Sequence, residues 1–407
     1  MNTNSSEPAV MATAPAPKCL FQNETDWRPL ESEDSDESKK AAEQANQMLK
    51  ERLGSLVLTQ NLLLLFGSGA SVAVGGPSLQ ALWDEAAESQ KAVFVEICDL
   101  VGHPKEKKDI EALLNRCQLA LAFQILEADK VNKFIEAIEG IIRDRCRMIG
   151  SWEKLKGTKQ TQLDVISPHL TLLSRVVPRR QDLPRTRIFT TNYDRCLELA
   201  AKESRMPILD GFDLITPQTF DGRWFDYDFV RRSTREGAAD YLESVFHLYK
   251  LHGSVDWHRS SGVIIRDLET KTPFLIYPRE EKFALSFEQP FLEMMARFQM
   301  ALREKDTALL LIGFGFNDNH LNQPIYHALA TNPSFKLVVV DRSAEGKLAD
   351  GQAWDTLWRL QKSGAPMDII QMDFTEFPKE MPTYSQARAS NTQEKAAQLL
   401  KVLSVKP

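Results

Sequence analysis

Residues 62–78 read LLLLFGSGASVAVGGPS: five large apolar residues in a row, then a turn punctuated by glycine. An apolar run of that length, closed by Gly67, predicts a strand buried on both faces, as in a parallel sheet. A helix is predicted over Pro77–Ser89, since proline is tolerated in a first helical turn. The same pattern recurs downstream. Ala308–Gly315 (ALLLIGFG) and Lys336–Asp341 (KLVVVD) predict two more buried strands, with a helix over Asp318–Ala330 between them. Shorter strand signals fall at Arg187–Thr190, His247–Leu251 and Asp368–Met372. Val263–Arg266 (VIIR) and Phe274–Pro278 (FLIYP) predict a strand pair. Further helices are predicted at Ser286–Arg303 and Thr392–Val402. Buried strands alternating with helices predict a doubly wound parallel α/β sheet. Such sheets take their ligands beyond the carboxyl ends of the strands.

Two stretches depart from this pattern. Over residues 105–173 the apolar positions follow helical spacing: Ile110, Leu113, Leu114, Cys117 and Leu121, then Val131, Phe134, Ile135, Ile138, Ile141 and Ile142. This predicts a helical insertion that splits the sheet domain into residues 46–104 and 174–407. Residues 1–45 are Ser/Thr/Ala/Pro-rich at first and acidic later. That composition buries little surface against chain entropy and predicts a disordered acidic tail. Trp27 and Leu30 interrupt its acidic run.

The chain has 407 residues, with 50 basic and 56 acidic side chains and 43% hydrophobic residues. That is enough for one large domain or two to three of roughly 150 residues, with a core that needs no staples. The net charge of −6 lies entirely between Glu24 and Glu37, where seven acids face one base, Arg28. The rest is formally neutral, so bulk charge neither supports nor excludes a nucleic-acid-handling complex. No apolar run reaches the roughly 18 residues of a membrane span, and the N-terminus lacks a signal-peptide pattern. The expectation is a cytoplasmic protein that does not enter membranes. Cys19, Cys98, Cys117, Cys146 and Cys196 are scattered and never spaced as CxxC, so neither a disulfide framework nor a cysteine zinc module is expected.

Polar clusters follow four of the predicted strands. The turn at Gly67, Ser68, Gly69 and Ser71 brings backbone close to a ligand, and its N–H groups can hold a diphosphate. Ile188–Asp194 (IFTTNYD) delivers Asn192 and Asp194 to a strand end. Asn192 can both donate and accept hydrogen bonds, and either residue can instead cap the next helix. Tyr249–His258 (YKLHGSVDWH) ends an apolar strand at His252, whose ordinary pKa of about 6.5 suits general-base work near neutrality. His258 ranks below it, and the other five histidines have no comparable setting. Leu309–His320 (LLLIGFGFNDNH) ends in Gly313 and Gly315, then Asn317 and Asp318. Asp341 ends the next strand, where an acid can meet an adenosine ribose. No P-loop pattern occurs.

In order, Gly-Ser-Gly-Ala-Ser (Gly67–Ser71), Thr-Asn-Tyr-Asp (Thr191–Asp194), Leu-His-Gly-Ser (Leu251–Ser254) and Gly-Phe-Gly (Gly313–Gly315) resemble the sirtuin superfamily over about residues 55–345. The pattern is most like divergent bacterial sirtuin-like domains of anti-phage defence systems, which deplete NAD. The resemblance implies a Rossmann-like, sirtuin-like fold and an NAD+ hydrolase that releases nicotinamide and ADP-ribose. Asn192 and His252 would be the catalytic pair. Gly67, Ser68, Gly69, Ser71, Asp194, Gly313, Gly315 and Asn317 would contact NAD, which is substrate, with no zinc or other metal. It further implies a homo-oligomer that works beside a HerA-type hexameric ATPase and reaches DNA through that complex. Two departures argue against protein deacetylation. The four-cysteine zinc module is missing, and Gly76 and Pro77 lead to Ser78, Leu79 and Gln80 where deacetylases carry Pro-Asp-Phe-Arg. The alternatives are a non-catalytic NAD or ADP-ribose sensor, and a nuclease subunit using arginine patches around Arg143–Arg147 and Arg175–Arg187.

Overall fold

In the computed structural model the apolar runs lie side by side at the centre of one sheet. Residues 15–32, 35–123, 127–148, 161–232, 240–277, 288–351 and 353–393 are described. The strands are β1 (Lys18–Leu20), β2 (Arg28–Pro29), β3 (Asn61–Phe66), β4 (Thr186–Thr190), β5 (Ile208–Leu209), β6 (Val230–Arg231), β7 (Asp240–Tyr241), β8 (Phe246–Lys250), β9 (Trp257–Ser260), β10 (Val263–Arg266), β11 (Thr307–Ile312), β12 (Phe335–Asp341) and β13 (Met367–Gln371). Nine of them form the main sheet, in the order β2-β1-β13-β12-β11-β3-β4-β8-β5. From β13 to β5 every neighbour is parallel, and only β1 and β2 run antiparallel.

All six residues of β3 and all six of β11 are buried, as unalternating apolar runs between two helical layers require. Each such leucine contributes roughly 1.5–3 kcal/mol of burial. The chain leaves β3 toward β4 and β8 on one side and returns to β11 on the other. The reversal opens a crevice beyond the carboxyl ends of β3 and β11, the place where doubly wound sheets take ligands. The fold is a Rossmann-like α/β sheet.

The helices are α1 (Asp36–Val57), α2 (Ser68–Val72), α3 (Leu79–Leu100), α4 (Ile110–Ala122), α5 (Ala128–Cys146), α6 (Gln162–Val176), α7 (Cys196–Glu203), α8 (Phe291–Leu302), α9 (Asn319–Thr331), α10 (Ala344–Asp350), α11 (Asp355–Lys362) and α12 (Phe377–Glu380). Helices α3, α4 and α5 share a core of their own, including Trp83, Phe94, Ile97, Leu113, Phe134 and Ile138. The helical unit therefore begins near Leu79, earlier than the expected residue 105. Its last expected part, α6, packs instead on the sheet through Leu172, Leu173 and Val176.

The expected disordered tail over residues 1–45 is overturned for its described part. Lys18–Leu20 pairs with Ile369–Gln371, and Cys19, Leu20 and Phe21 are fully buried. The acidic run starts α1: Ser35 caps it, and Asp36 and Glu37 sit in its first turn, where carboxylates oppose the helix dipole. Leu30 is buried and Trp27 packs on the sheet core. Residues 1–14 lie outside the described residues, as does most of the predicted Thr392–Val402 helix.

The expected pairing of Val263–Arg266 with Phe274–Pro278 is also corrected. β10 pairs with β9 through a turn at Ser261 and Gly262, both at positive φ, the turn chemistry of a tight hairpin. Leu275 makes only an isolated bridge to Gly253. Among the described residues no helix is long and apolar enough to cross a membrane.

Candidate functional site

The site is built where the ends of β3, β4, β8 and β11 converge. Behind β3 the chain turns at Gly67 into the short α2, and behind β11 it turns at Gly313. These turns touch. Gly67 N–H donates to Ile312 O at 2.9 Å and Gly69 N–H to Gly313 O at 3.0 Å. A Cβ on Gly67 would lie 2.6 Å from Gly313 O, and one on Gly69 would lie 2.7 Å from Gly313 Cα. Gly313 has φ +60. The glycines therefore let two strand ends meet. The Gly67 and Gly69 N–H groups are committed to this contact, and Gly313 N–H donates to Val340 O at 2.9 Å. Ser68, which is exposed between them, borders both cavities described below.

Asn192 follows β4. Its N–H donates to Thr190 Oγ1 at 3.0 Å, and its side-chain amide donates to Gly67 O at 2.9 Å and Ser71 Oγ at 2.8 Å. Both amide hydrogens are thus committed, and the side-chain carbonyl is the part left to accept from a ligand. Ser71 Oγ donates in turn to Asp194, whose other oxygen accepts from Cys196 N–H at 2.9 Å. Asp194 thus bridges Ser71 and the first N–H of α7, while the residue at the N-cap of α7 is Arg195 rather than Asp194. Behind this row, buried Lys250 donates to Asp194 O and to Glu198 Oε1, the latter at 2.9 Å.

His252 follows β8 and is 3% exposed. Gly253, at φ +86, turns the chain against Phe274, and Ile276 N–H donates to His252 O at 2.9 Å. His252 Nε2 lies 3.2 Å from His320 Nε2. His320 stands at the start of α9 and was among the histidines set aside on sequence grounds. Nothing in a linear pattern places it beside a residue 68 positions away.

Asn192, Asp194 and His252 line one cavity of about 140 Å³ with Gly67, Ser71 and Gly315. Leu82, Glu111, Ile142 and Cys146 close it from the helical unit. Sequence reasoning missed this roof, because the start of α3 read as a helix of the sheet domain and α4 and α5 only as an insertion. Burial pushes the Cys146 thiol up to about 12, with Asp194 adding to the shift, so it stays protonated and serves as wall rather than nucleophile. A cavity near 150 Å³ holds about one six-membered ring.

Beside it, past the shared Ser68, Gly315 and Asn317, a second cavity of about 880 Å³ runs along the ends of β11, β12 and β13. It lies within the roughly 300–1,000 Å³ usual for small-ligand sites. Gly69, Gly313 and Asp341 border it. Asp341 is already engaged: Lys347 Nζ donates to it at 2.6 Å and Ser343 N–H at 2.9 Å. Among the described residues no three His, Cys, Asp or Glu side chains group as a metal site.

All ten residues expected at the site thus border one or both cavities. Seven sit at the ring-sized pocket or its boundary with Ser68. Gly69 and Gly313 sit behind the loop contact on the larger cavity, and exposed Asn317 stands at the junction. A family model described as SIR2-like domain matches residues 186–359, from β4 through α11. That span contains Asn192, Asp194, His252, Gly313, Gly315 and Asn317, while the Gly67–Ser71 turn lies before it. No curated protein matches the chain. Residues 186–359 are thus similar to a SIR2-like domain, and they lie on a Rossmann-like sheet.

Proposed function

We propose that the chain hydrolyses NAD at the nicotinamide–ribose bond, releasing nicotinamide and ADP-ribose. One observation carries this reading. A ring-sized pocket holding Asn192 and His252 adjoins a nucleotide-sized cavity across Ser68, at the point where the strand order reverses. The SIR2-like domain match supports a dinucleotide as the ligand.

The chemistry asks little of an acid. The nicotinamide nitrogen is cationic in NAD and leaves neutral with the bonding pair. Positive charge grows on the ribose, as in glycoside cleavage generally. The accepting carbonyl of Asn192 would hold a ribose hydroxyl or the attacking water. Asp194, two residues on, holds Ser71 and through it Asn192. His252 would take the proton that hydrolysis releases, a general-base contribution of typically 10²–10⁴-fold. Leu82 and Ile142 would shield the leaving ring from water.

We assign the reaction to NAD depletion in anti-phage defence, within an assembly that contains further copies of the chain and a HerA-type ATPase. The sequence resemblance supports this. An unrestrained NAD hydrolase would empty its own cell, so control by assembly fits the activity. The test is nicotinamide release by wild type, Asn192→Ala and His252→Ala, each checked for folding. Loss in both variants is expected. Wild-type turnover in either folded variant would remove that residue from the mechanism. Dinucleotide binding without turnover would make the chain a sensor.

A further inference from the structure

We infer that His320 passes protons for His252, linking the reaction pocket to solvent through the groove between α8 and α9. The inference rests on the reading of His252 as the base in the proposed hydrolysis.

Three observations meet at this pair. The two Nε2 atoms are 3.2 Å apart, so one nitrogen donates to the other. The rings are tilted 31° with centroids 5.4 Å apart, which places them edge to edge rather than stacked. The residues also border different spaces. His252 is nearly fully buried and lines the ring-sized pocket. His320 is half-buried and lines a separate groove of about 1310 Å³ with Met295, Gln299, Gln323 and His327. The pair is the partition between the pocket and the groove.

A buried base that takes a proton in every turnover must lose it again. On the pocket side its exit competes with bound substrate. Through His320 the exit lies on the far side. As water attacks, its oxygen bonds to the ribose carbon, the carbon–nitrogen bond to nicotinamide breaks, and the water proton moves to His252. The hydrogen between the two Nε2 atoms shifts to His320, which gives a proton from its other nitrogen to water in the groove; once the products leave, exchange with water on both sides restores the starting tautomers. One proton enters and one leaves, and no redox partner is needed.

Carboxylates on the pocket side favour an added proton on the pair, and the cations on the groove side oppose it. Asp194 and Tyr193 face the pocket from the end of β4, Glu111 from α4, Cys146 from α5 and Asp318 from the loop before α9. Arg303, Lys305 and Asp306 face the groove from the segment after α8, and His327 from α9. Two interacting imidazoles titrate as a unit with macroscopic midpoints.

The experiment compares wild type with His320→Ala and His320→Gln, using the protein in its assembled, active form. A roughly 10- to 100-fold fall in kcat is expected for both, with KM within about twofold. The acid limb of the pH profile should move. Free imidazole should restore His320→Ala, because the groove admits it. Unchanged kcat and pH profile would overturn the inference. So would a loss that appears in KM, or a kcat loss that imidazole does not relieve. An NMR titration of the ring nitrogens gives a second readout without turnover: His320→Ala should shift the His252 midpoint, and an unmoved midpoint overturns the inference. If wild type releases no nicotinamide, the hydrolase reading fails, and the titration still decides whether the pair shares a proton.

Discussion

Asn192 donates an amide hydrogen to Ser71 Oγ at 2.8 Å, and Ser71 passes its own hydrogen to Asp194. The orientation of Asn192 therefore depends on a hydroxyl 121 positions earlier in the chain, across the crevice between two strand ends. Ser71→Ala would leave Asn192 with only Gly67 O. One hydrogen bond of this kind is worth about 1 kcal/mol. Steady-state nicotinamide release should show kcat lowered roughly five- to tenfold, with dinucleotide affinity nearly unchanged. An affinity loss with kcat intact would make Ser71 a binding residue instead.

The contact between the two glycine turns predicts a position-specific stability effect. A Cβ at Gly313 would stand 2.5 Å from Ala70 N on a backbone at φ +60, so Gly313→Ala should destabilise by roughly 1–3 kcal/mol. Gly346 lies within α10 with nothing within 4 Å of its Cβ direction. Gly346→Ala should stabilise by about 0.5–1 kcal/mol. Chemical denaturation of both variants checks the opposite signs.

The N-terminal segment should behave as part of the sheet. Phe21 is fully buried, and Gln361 donates to its main-chain oxygen at 3.2 Å. Phe21→Ala should cost about 3–5 kcal/mol, the usual range for a buried aromatic. A urea midpoint within error of wild type would show that the segment does not hold the fold.

Why the sequence misled at this segment, and not at the sheet, follows from what each signal averages. β3, β11 and β12 were legible because a strand covered on both faces is apolar along most of its length. Asn192 and His252 were legible because each is a polar side chain at the end of such a run. Cys19, Leu20 and Phe21 are only three residues in a Pro- and Ser-rich stretch, and composition swamps them. Yet β1, only three residues long, pairs with β13 on one side and β2 on the other. The use of the Gly67 and Gly69 N–H groups was invisible too. It depends on Gly313, almost 250 residues away, and no local pattern records that meeting. The same holds for His320 and for Ile142 in the pocket roof.

Acid sensitivity should reach beyond the site. Burial drives His169 down to about 4 against the opposing charge of Asp194, and its ring stacks on Phe66 and meets Phe374 edge-on. The unfolded chain takes up this proton below about pH 6.5, and the folded chain does not until about pH 4. The stability tied to neutral His169 is therefore complete above pH 6.5 and is lost as pH falls toward 4. His169→Phe keeps an aromatic ring there and removes the titration. Between pH 7 and pH 5 its denaturation midpoint should fall less than that of wild type. Equal falls would show that His169 does not drive the loss.

Breaking of the nicotinamide–ribose bond is proposed to occur in one pocket, with Asn192 and His252. The direct measurement is chromatographic quantitation of nicotinamide and ADP-ribose from NAD. It should be run with the protein isolated with its cellular partners, for wild type and Asn192→Ala. Equimolar products are expected from wild type and a loss of at least about 100-fold in Asn192→Ala, with NAD-induced thermal stabilisation retained. Undiminished nicotinamide release by folded Asn192→Ala, or none from wild type that binds NAD, would contradict it.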